Sequence, residues 1–70
     1  MVYFTDIRKT KHYEENHEMQ VPLFEITKVI FASQKLMRKK QENIEIETNN
    51  YYILFKVEKG IAYILNAKRK

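Results

Sequence analysis

Cysteine and tryptophan are absent from these 70 residues, and glycine and proline occur once each. Without cysteine, neither a disulfide nor a thiolate metal site can stabilise the fold. A single glycine and a single proline are too few for a linker-rich or disordered chain. The apolar fraction is 44%, with five tyrosines and four phenylalanines, which suffices for a small core. We therefore expect a single domain, residues 1–70, that is stabilised by packing.

Long apolar runs are also missing, since no stretch approaches the roughly 20 residues that a membrane-spanning helix needs. The N-terminus lacks the apolar segment of a signal peptide, so we expect a cytoplasmic protein without membrane contact. No glycine-rich phosphate loop, Ser/His/Asp arrangement or DNA-reading helix motif is recognisable. We expect no cofactor.

Positive charge is concentrated in the second half of the chain. Residues 1–34 carry four Lys/Arg and five Asp/Glu, a net charge of −1, whereas residues 35–70 carry nine and four, a net charge of +5. This asymmetry indicates a polyanionic partner. Solubility alone also accounts for such a charge in many small domains.

The first half of the chain has the apolar spacing of helices. Residues 2–4 could form a short strand or a flap, and Thr5-Asp6 offers an N-cap for a helix from Ile7 to about Glu18. Pro22 stands where the first turn of a helix tolerates proline. A second helix from Pro22 to about Ser33 is predicted by apolar residues at helical spacing, namely Leu23, Ile26, Val29 and Ile30.

From residue 35 the period changes to two, which predicts antiparallel strands. Asn49-Asn50 is a two-residue turn that sets Ile46 opposite Ile53, and Asn tolerates the positive φ of such turns. A three-residue loop over residues 58–60 would set Val57 opposite Ile61 and Tyr51 opposite Ala67. Both hairpins then place the same residues on the core face, namely Ile44, Ile46, Ile53, Phe55, Val57, Ile61, Tyr63 and Leu65.

The opposite, outer face should carry Glu45, Glu47, Tyr52, Leu54, Lys56, Ala62, Ile64, Asn66 and Lys68. A further strand from Lys35 to Lys40 has two registers, and we favour a turn at Gln41-Glu42 because it buries Met37 and leaves Arg38 exposed. The predicted fold is therefore α+β, with two N-terminal helices packed on one face of a three- to four-stranded antiparallel meander.

Three segments resemble the RelE/ParE superfamily of small toxins, and most closely BrnT-type toxins and their uncharacterised relatives. They are Lys11-His12 with His17 in the first helix, the aliphatic second helix around residues 24–30, and a last strand running from Ile64-Leu65 into Lys68-Arg69-Lys70. Two departures are Glu18-Met19-Gln20 where a glycine is common, and no catalytic His or Tyr after the final strand. The resemblance implies RNA cleavage in translation, or gyrase poisoning in some branches, and a protein antitoxin as partner.

His12 and His17 are the candidates for proton transfer, because a histidine pKa lies near neutrality. Side chains five residues apart on a helix point about 140° away from each other, so one helix face should not present both histidines to a single metal. We therefore expect no metal site. An ordinary solvated position on the helix is the simpler interpretation of both residues.

Metal-free RNA cleavage also needs cations that stabilise the charge on phosphorus. Lys68 and Arg69 are the predicted catalytic cations, and Tyr52 could stack on a base. The predicted RNA-binding set is Arg38, Lys40, Tyr52, Lys56, Asn66 and Lys68. An ordinary solvated sheet face is the alternative, and charge on the Lys35–Lys40 edge strand also discourages aggregation.

Two hypotheses follow from the sequence. The first is a RelE/BrnT-like toxin module that binds RNA and cleaves it without metal, with an antitoxin as partner. The second is a non-catalytic module with the same fold that binds nucleic acid or protein. Exposed Tyr52, Leu54 and Ile64 would make a homodimer plausible.

Overall fold

The computed structural model describes residues 4–70, which form a five-stranded sheet with two α-helices. Strands β2 to β5 form an antiparallel meander, and β1 pairs in parallel with β5, so the sheet order is β1-β5-β4-β3-β2. The elements are β1 (Asp6–Lys9), α1 (Lys11–Asn16), α2 (Leu23–Ala32), a 3₁₀ turn (Gln34–Leu36), β2 (Met37–Lys40), β3 (Asn43–Glu47), β4 (Tyr51–Glu58) and β5 (Ile61–Arg69).

The predicted α+β class and the antiparallel meander are confirmed, but a parallel fifth strand makes the sheet mixed. Residues 6–9, predicted as part of the N-cap and the first turn of a helix, are that strand. The helix begins only after Thr10, whose side chain accepts a hydrogen bond from the Tyr13 backbone N–H as an N-cap does. Pairing with β5, 55 residues away in sequence, overrides the weak local pattern of residues 6–9. The strand or flap predicted at residues 2–4 lies largely outside the described residues.

The second helix is confirmed within one residue at each end, with Pro22 as its N-cap and Ser33 as its C-cap. Ile26 and Ile30 are buried against the sheet, as the spacing predicts. The register of the first two hairpins is also confirmed, since Met37 lies opposite Ile46 and Ile46 opposite Ile53.

The turn at Asn49-Asn50 forms without positive φ, contrary to the prediction. Thr48 provides the reason, because its hydroxyl accepts hydrogen bonds from the backbone N–H groups of Asn50 (3.1 Å) and Tyr51 (2.9 Å). A Ser/Thr side chain can close a turn in this way. The turn at Gln41-Glu42 does use positive φ, at Gln41 (58°).

The predicted register between β4 and β5 is wrong. The loop contains two residues, Lys59 and Gly60, with φ of 52° and 76°, and not three. Val57 consequently pairs with Ala62 instead of Ile61. This one-residue shift reverses the faces, so that Ala62 and Ile64 are buried while Tyr63 lies on the outer face with Lys56.

A β-bulge then reverses the faces a second time. Leu65 is the extra residue, because Phe55 pairs with Ile64 and Leu54 pairs with Asn66. The shorter loop and the bulge each shift the register by one residue, so beyond Leu65 the side chains return to the predicted faces. Asn66 and Lys68 therefore lie on the outer face as predicted, although opposite different partners.

The core lies between the sheet and the two helices. Of the predicted core face, Ile44, Ile46, Ile53 and Phe55 are in it and Val57 packs against it. Ile61, Tyr63 and Leu65 of β5 are not in it. The buried side chains are Tyr13, Val21, Ile26, Ile30, Ile44, Ile46, Ile53, Phe55, Ala62, Ile64 and Ala67. Within residues 4–70, no helix is long and apolar enough to cross a membrane.

Candidate functional site

The second half of β5 and helix α1 form one corner of the molecule. Strand β1 pairs with β5 only as far as Ile64. Thr10 then donates its hydroxyl hydrogen bond to the Ile64 carbonyl at 2.7 Å, and α1 packs beside the rest of β5, with Tyr13 in the core. This arrangement brings the histidines of α1 to the basic end of β5.

His12 and His17 are in contact, with 3.3 Å between their Nε2 atoms and 5.1 Å between ring centroids. The expectation that five residues would separate them by 140° is wrong, because the helix ends at Asn16. His17 is the C-cap, with φ −130° and ψ −24°, so its side chain turns back toward His12. The helical repeat no longer applies at a cap.

Polar groups of α1 and β5 surround the two rings. Asn16 Nδ2 donates a hydrogen bond to the His12 carbonyl at 3.0 Å and lies 3.4 Å from His12 Nδ1. The Ala67 backbone in β5 accepts a hydrogen bond from the His17 ring. In the Nε2–Nε2 contact either ring can be the donor, according to its tautomer.

The pKa of His17 lies below its ordinary value. Burial is the main cause, and the charges of His12 and Lys68 lower the pKa further, against the opposing effect of the Ala67 hydrogen bond. His17 is therefore neutral at pH 7. The effect of Lys68 also shows that this ammonium group lies near the histidine pair.

Lys68 and Asn66 extend the corner onto the outer face. Lys68 is exposed, pairs across the strands with Tyr52, and contacts no carboxylate within the described part of the chain. The side-chain Oδ1 of Asn66 is buried and accepts no hydrogen bond from residues 4–70. This oxygen can accept a hydrogen bond from a ligand beside Lys68 only when the Asn66 side chain turns outward.

The other predicted cations of the outer face are paired with carboxylates. Arg38 Nη2 lies 3.0 Å from Glu45 and 3.4 Å from Glu47. Lys40 lies 3.9 Å from Glu45, and the Tyr52 hydroxyl donates to Glu45 at 3.0 Å. These contacts neutralise much of the positive charge that the sequence places on this face.

Two further cations at the margins of this face are also paired. Lys56 lies 3.6 Å from Glu58. Lys70 bonds Glu47 and holds the pKa of that carboxyl below its ordinary value.

Arg69 lies on the other side of the sheet. It pairs with Tyr51 in the β4–β5 ladder, and its Nη2 lies 2.6 and 2.7 Å from the carboxylate oxygens of Glu25 in α2. The Tyr51 hydroxyl donates to the same carboxylate at 3.4 Å. Of the four predicted catalytic residues, the structure thus brings together His12, His17 and Lys68 and places Arg69 apart from them.

Asn16 and the Ala67 carbonyl belong to the same corner and were not predicted. The i, i+4 spacing of His12 and Asn16 is a usable signal for a helical contact, but the carbonyl could be found only from the fold. Within residues 4–70, no group of three His, Cys, Asp or Glu side chains is arranged to hold a metal ion.

Comparison with known proteins shows the fold. No known protein family and no curated protein matches the sequence. Among solved structures, the chain is similar to a chain of the toxin–antitoxin complex RelBE2 from Mycobacterium tuberculosis, with a TM-score of 0.63 and 12% identity. The match covers 100% of this chain and 95% of that one. The chain therefore has a RelE-like α+β fold, and the predicted likeness to BrnT-type toxins stays a prediction.

Proposed function

We propose that this protein is a RelE-like toxin module that binds RNA at the corner formed by α1 and β5 and cleaves it without a metal ion. The observation that carries the proposal is the His12–His17 contact next to the end of β5, where the unpaired Lys68 follows Ala67. A protein antitoxin would be its partner, as in the complex whose fold it shares.

Each residue of the corner has a role in this proposal. His12 is exposed and transfers protons to and from the reacting hydroxyl groups, and neutral His17 is the positioning residue that orients it. Lys68 binds the phosphate and stabilises its developing charge. Asn66, with its amide turned outward, accepts a hydrogen bond from a ribose hydroxyl, and Tyr52 offers a ring for stacking.

A cleavage assay in the presence of EDTA tests the proposal. Wild-type protein should cut a defined RNA and leave 2′,3′-cyclic phosphate ends, and both His12→Ala and Lys68→Ala should lose at least tenfold in rate. Lys39→Ala is the matched control, because it removes the same charge from β2 on the other edge of the sheet. Equal residual cleavage by all four proteins would identify a contaminating nuclease and contradict the catalytic proposal.

The second candidate function is a non-catalytic binding module. The pairing of Arg38, Lys40 and Lys56 with carboxylates favours it, because little free positive charge remains on the outer face for a long RNA. Binding to RNA that weakens steeply with salt, without cleavage, would support this function. Absence of RNA binding would point to a protein partner.

The homodimer predicted from Tyr52, Leu54 and Ile64 loses part of its basis, since Ile64 is fully buried and both other side chains are half-buried. Dimerisation through the outer face stays a proposal that sedimentation can test.

A further inference from the structure

Large apolar side chains are exposed along α2 and the turn that follows it. Phe24 and Phe31 are seven residues apart, which places them on the same side of the helix two turns apart. Their exposed fractions are 66% and 61%, and that of Leu36 is 47%. Such a group of exposed apolar side chains on a small protein usually marks a binding surface.

Two of these residues, Phe31 and Leu36, border a cleft at the C-terminal end of α2. The cleft has a volume of about 1030 Å³ and is lined from Phe31 through the 3₁₀ turn to Met37 and Lys39. We call it the Phe31 cleft.

The Phe31 cleft continues at both ends. Phe31 also lines a hollow of about 290 Å³ with Phe4 and Ile7. Met37 lines another of about 300 Å³ with Val57. Phe4, Ile7, Met37 and Val57 pack against the core, so each hollow has an apolar part that adjoins the cleft.

The charged side chains that line the cleft itself are both positive. Lys35 and Lys39 line it, and neither bonds a carboxylate of residues 4–70, in contrast to the paired cations of the outer face. Acidic residues occur only in the two end hollows, where Asp6 is bonded to Arg8 and Glu42 lies beside Lys39. The cleft thus combines an apolar floor with unpaired lysines.

We infer that the Phe31 cleft binds an acidic amphipathic helix of a partner protein, which under the proposed function is the antitoxin. Apolar side chains at positions i, i+3 or i+4, and i+7 of that helix would fill the floor, and flanking carboxylates would pair with Lys35 and Lys39. The inference rests on the proposed function only for the identity of the partner, because the cleft is remote from His12. Glu25, in the first turn of α2, contacts β5, whereas Phe31 is in the last turn.

Two other occupants fit the cleft less well. In a symmetric contact with a second copy, the lysines of both copies would face each other. RNA would need several aromatic faces for base stacking, but among the described residues Phe31 is the one aromatic side chain that lines the cleft.

A display library of 16-residue amphipathic helices tests the inference. All members share the same apolar positions. In half of the members the remaining positions are glutamate, and in the other half they are lysine. Wild-type protein should enrich the glutamate helices. Phe31→Asp should bind the selected peptides at least tenfold more weakly, and the double variant Lys35→Glu/Lys39→Glu should enrich the lysine helices.

The inference is overturned if wild-type protein enriches both classes equally or if Phe31→Asp binds as well as wild type. It is also overturned if sedimentation shows a wild-type dimer that Phe31→Asp dissociates, or if RNA competes with the peptide. Thermal unfolding verifies that Phe31→Asp is folded, and Leu36→Glu replaces it otherwise. RNA cleavage is measured on the same proteins: loss of cleavage in His12→Ala with intact peptide binding separates the two proposals.

Discussion

Arg69 binds Glu25 through one guanidinium nitrogen that lies 2.6 and 2.7 Å from the two carboxylate oxygens, and this contact joins the last strand to the first turn of α2. A cation that the sequence analysis assigned to catalysis therefore has a structural partner. The contact also raises the pKa of Arg69, which keeps the group charged at every accessible pH.

We expect Arg69→Ala to lower the free energy of unfolding while leaving RNA binding nearly unchanged. Lys68→Ala should weaken RNA binding while leaving the free energy of unfolding nearly unchanged. The destabilisation should be small, since the Arg69 side chain is 53% exposed and exposed ion pairs contribute little. Urea unfolding and salt-titrated RNA binding of both variants measure the two effects. A larger loss of RNA affinity in Arg69→Ala than in Lys68→Ala would restore Arg69 to the binding site.

His17 should titrate below pH 6.5 in the folded protein, because burial, His12 and Lys68 all disfavour its protonated form. Lys68→Ala removes one of these positive charges and should raise the pKa of His17, whereas Lys40→Ala, an equal change of charge on β2, should not. The imidazole signals in a proton NMR titration report this directly. The folded state binds fewer protons than the unfolded chain, so acidification below pH 6.5 should reduce stability.

Tyr13 donates a buried hydrogen bond from its hydroxyl to the Val21 carbonyl at 2.5 Å. Tyr13→Phe should destabilise the fold by about 1–2 kcal/mol, because the carbonyl loses its donor away from water. Tyr63→Phe is the control, since the Tyr63 hydroxyl makes no hydrogen bond with residues 4–70. Equal effects of the two substitutions in urea unfolding would contradict this role.

The same tyrosine should make the fold sensitive to alkali. Burial raises the pKa of Tyr13 to about 12 from an ordinary value of 10.0. The neutral phenol is favoured in the fold, so the stabilisation is complete below pH 10 and is lost as the pH rises toward 12. The loss should amount to about 2–3 kcal/mol and should be absent in Tyr13→Phe.

Glu47 holds two cations, Arg38 and Lys70, away from any anionic ligand. Glu47→Gln should strengthen RNA binding at low salt by roughly threefold or more, because it releases Lys70 and leaves Arg38 with Glu45 as its remaining carboxylate. Glu42→Gln makes the same change of net charge without releasing an ion-paired cation among the described residues, and it should have the smaller effect. Equal gains would mean that net charge alone controls binding.

Gly60 has φ of 76° in the two-residue turn between β4 and β5. Gly60→Ala should cost about 1 kcal/mol from backbone strain. The added methyl group itself would meet only Thr5 Oγ1 at 3.8 Å. Lys59→Asn should be neutral or stabilising, since Asn tolerates the φ of 52° at that position. Thermal unfolding of both variants tests the turn type.

The sequence by itself determined the class of the fold, helix α2 and the pairing of β2, β3 and β4. These elements depend on local signals: helical spacing around Ile26 and Ile30, alternation in β3, and short turns between consecutive strands. The same signals put Lys68 on the outer face, although there the prediction succeeded because two register errors cancelled.

The tertiary structure alone decided the parallel strand β1, the bulge at Leu65 and the meeting of the histidines with Lys68. Strand β1 has one strongly apolar residue, Ile7, and is selected by a partner strand far away in sequence. The histidines meet because the helix ends at Asn16 and because the Ala67 backbone accepts a hydrogen bond from the His17 ring. Contacts of this kind are made between distant backbone and side-chain groups, and no local pattern of residues encodes them.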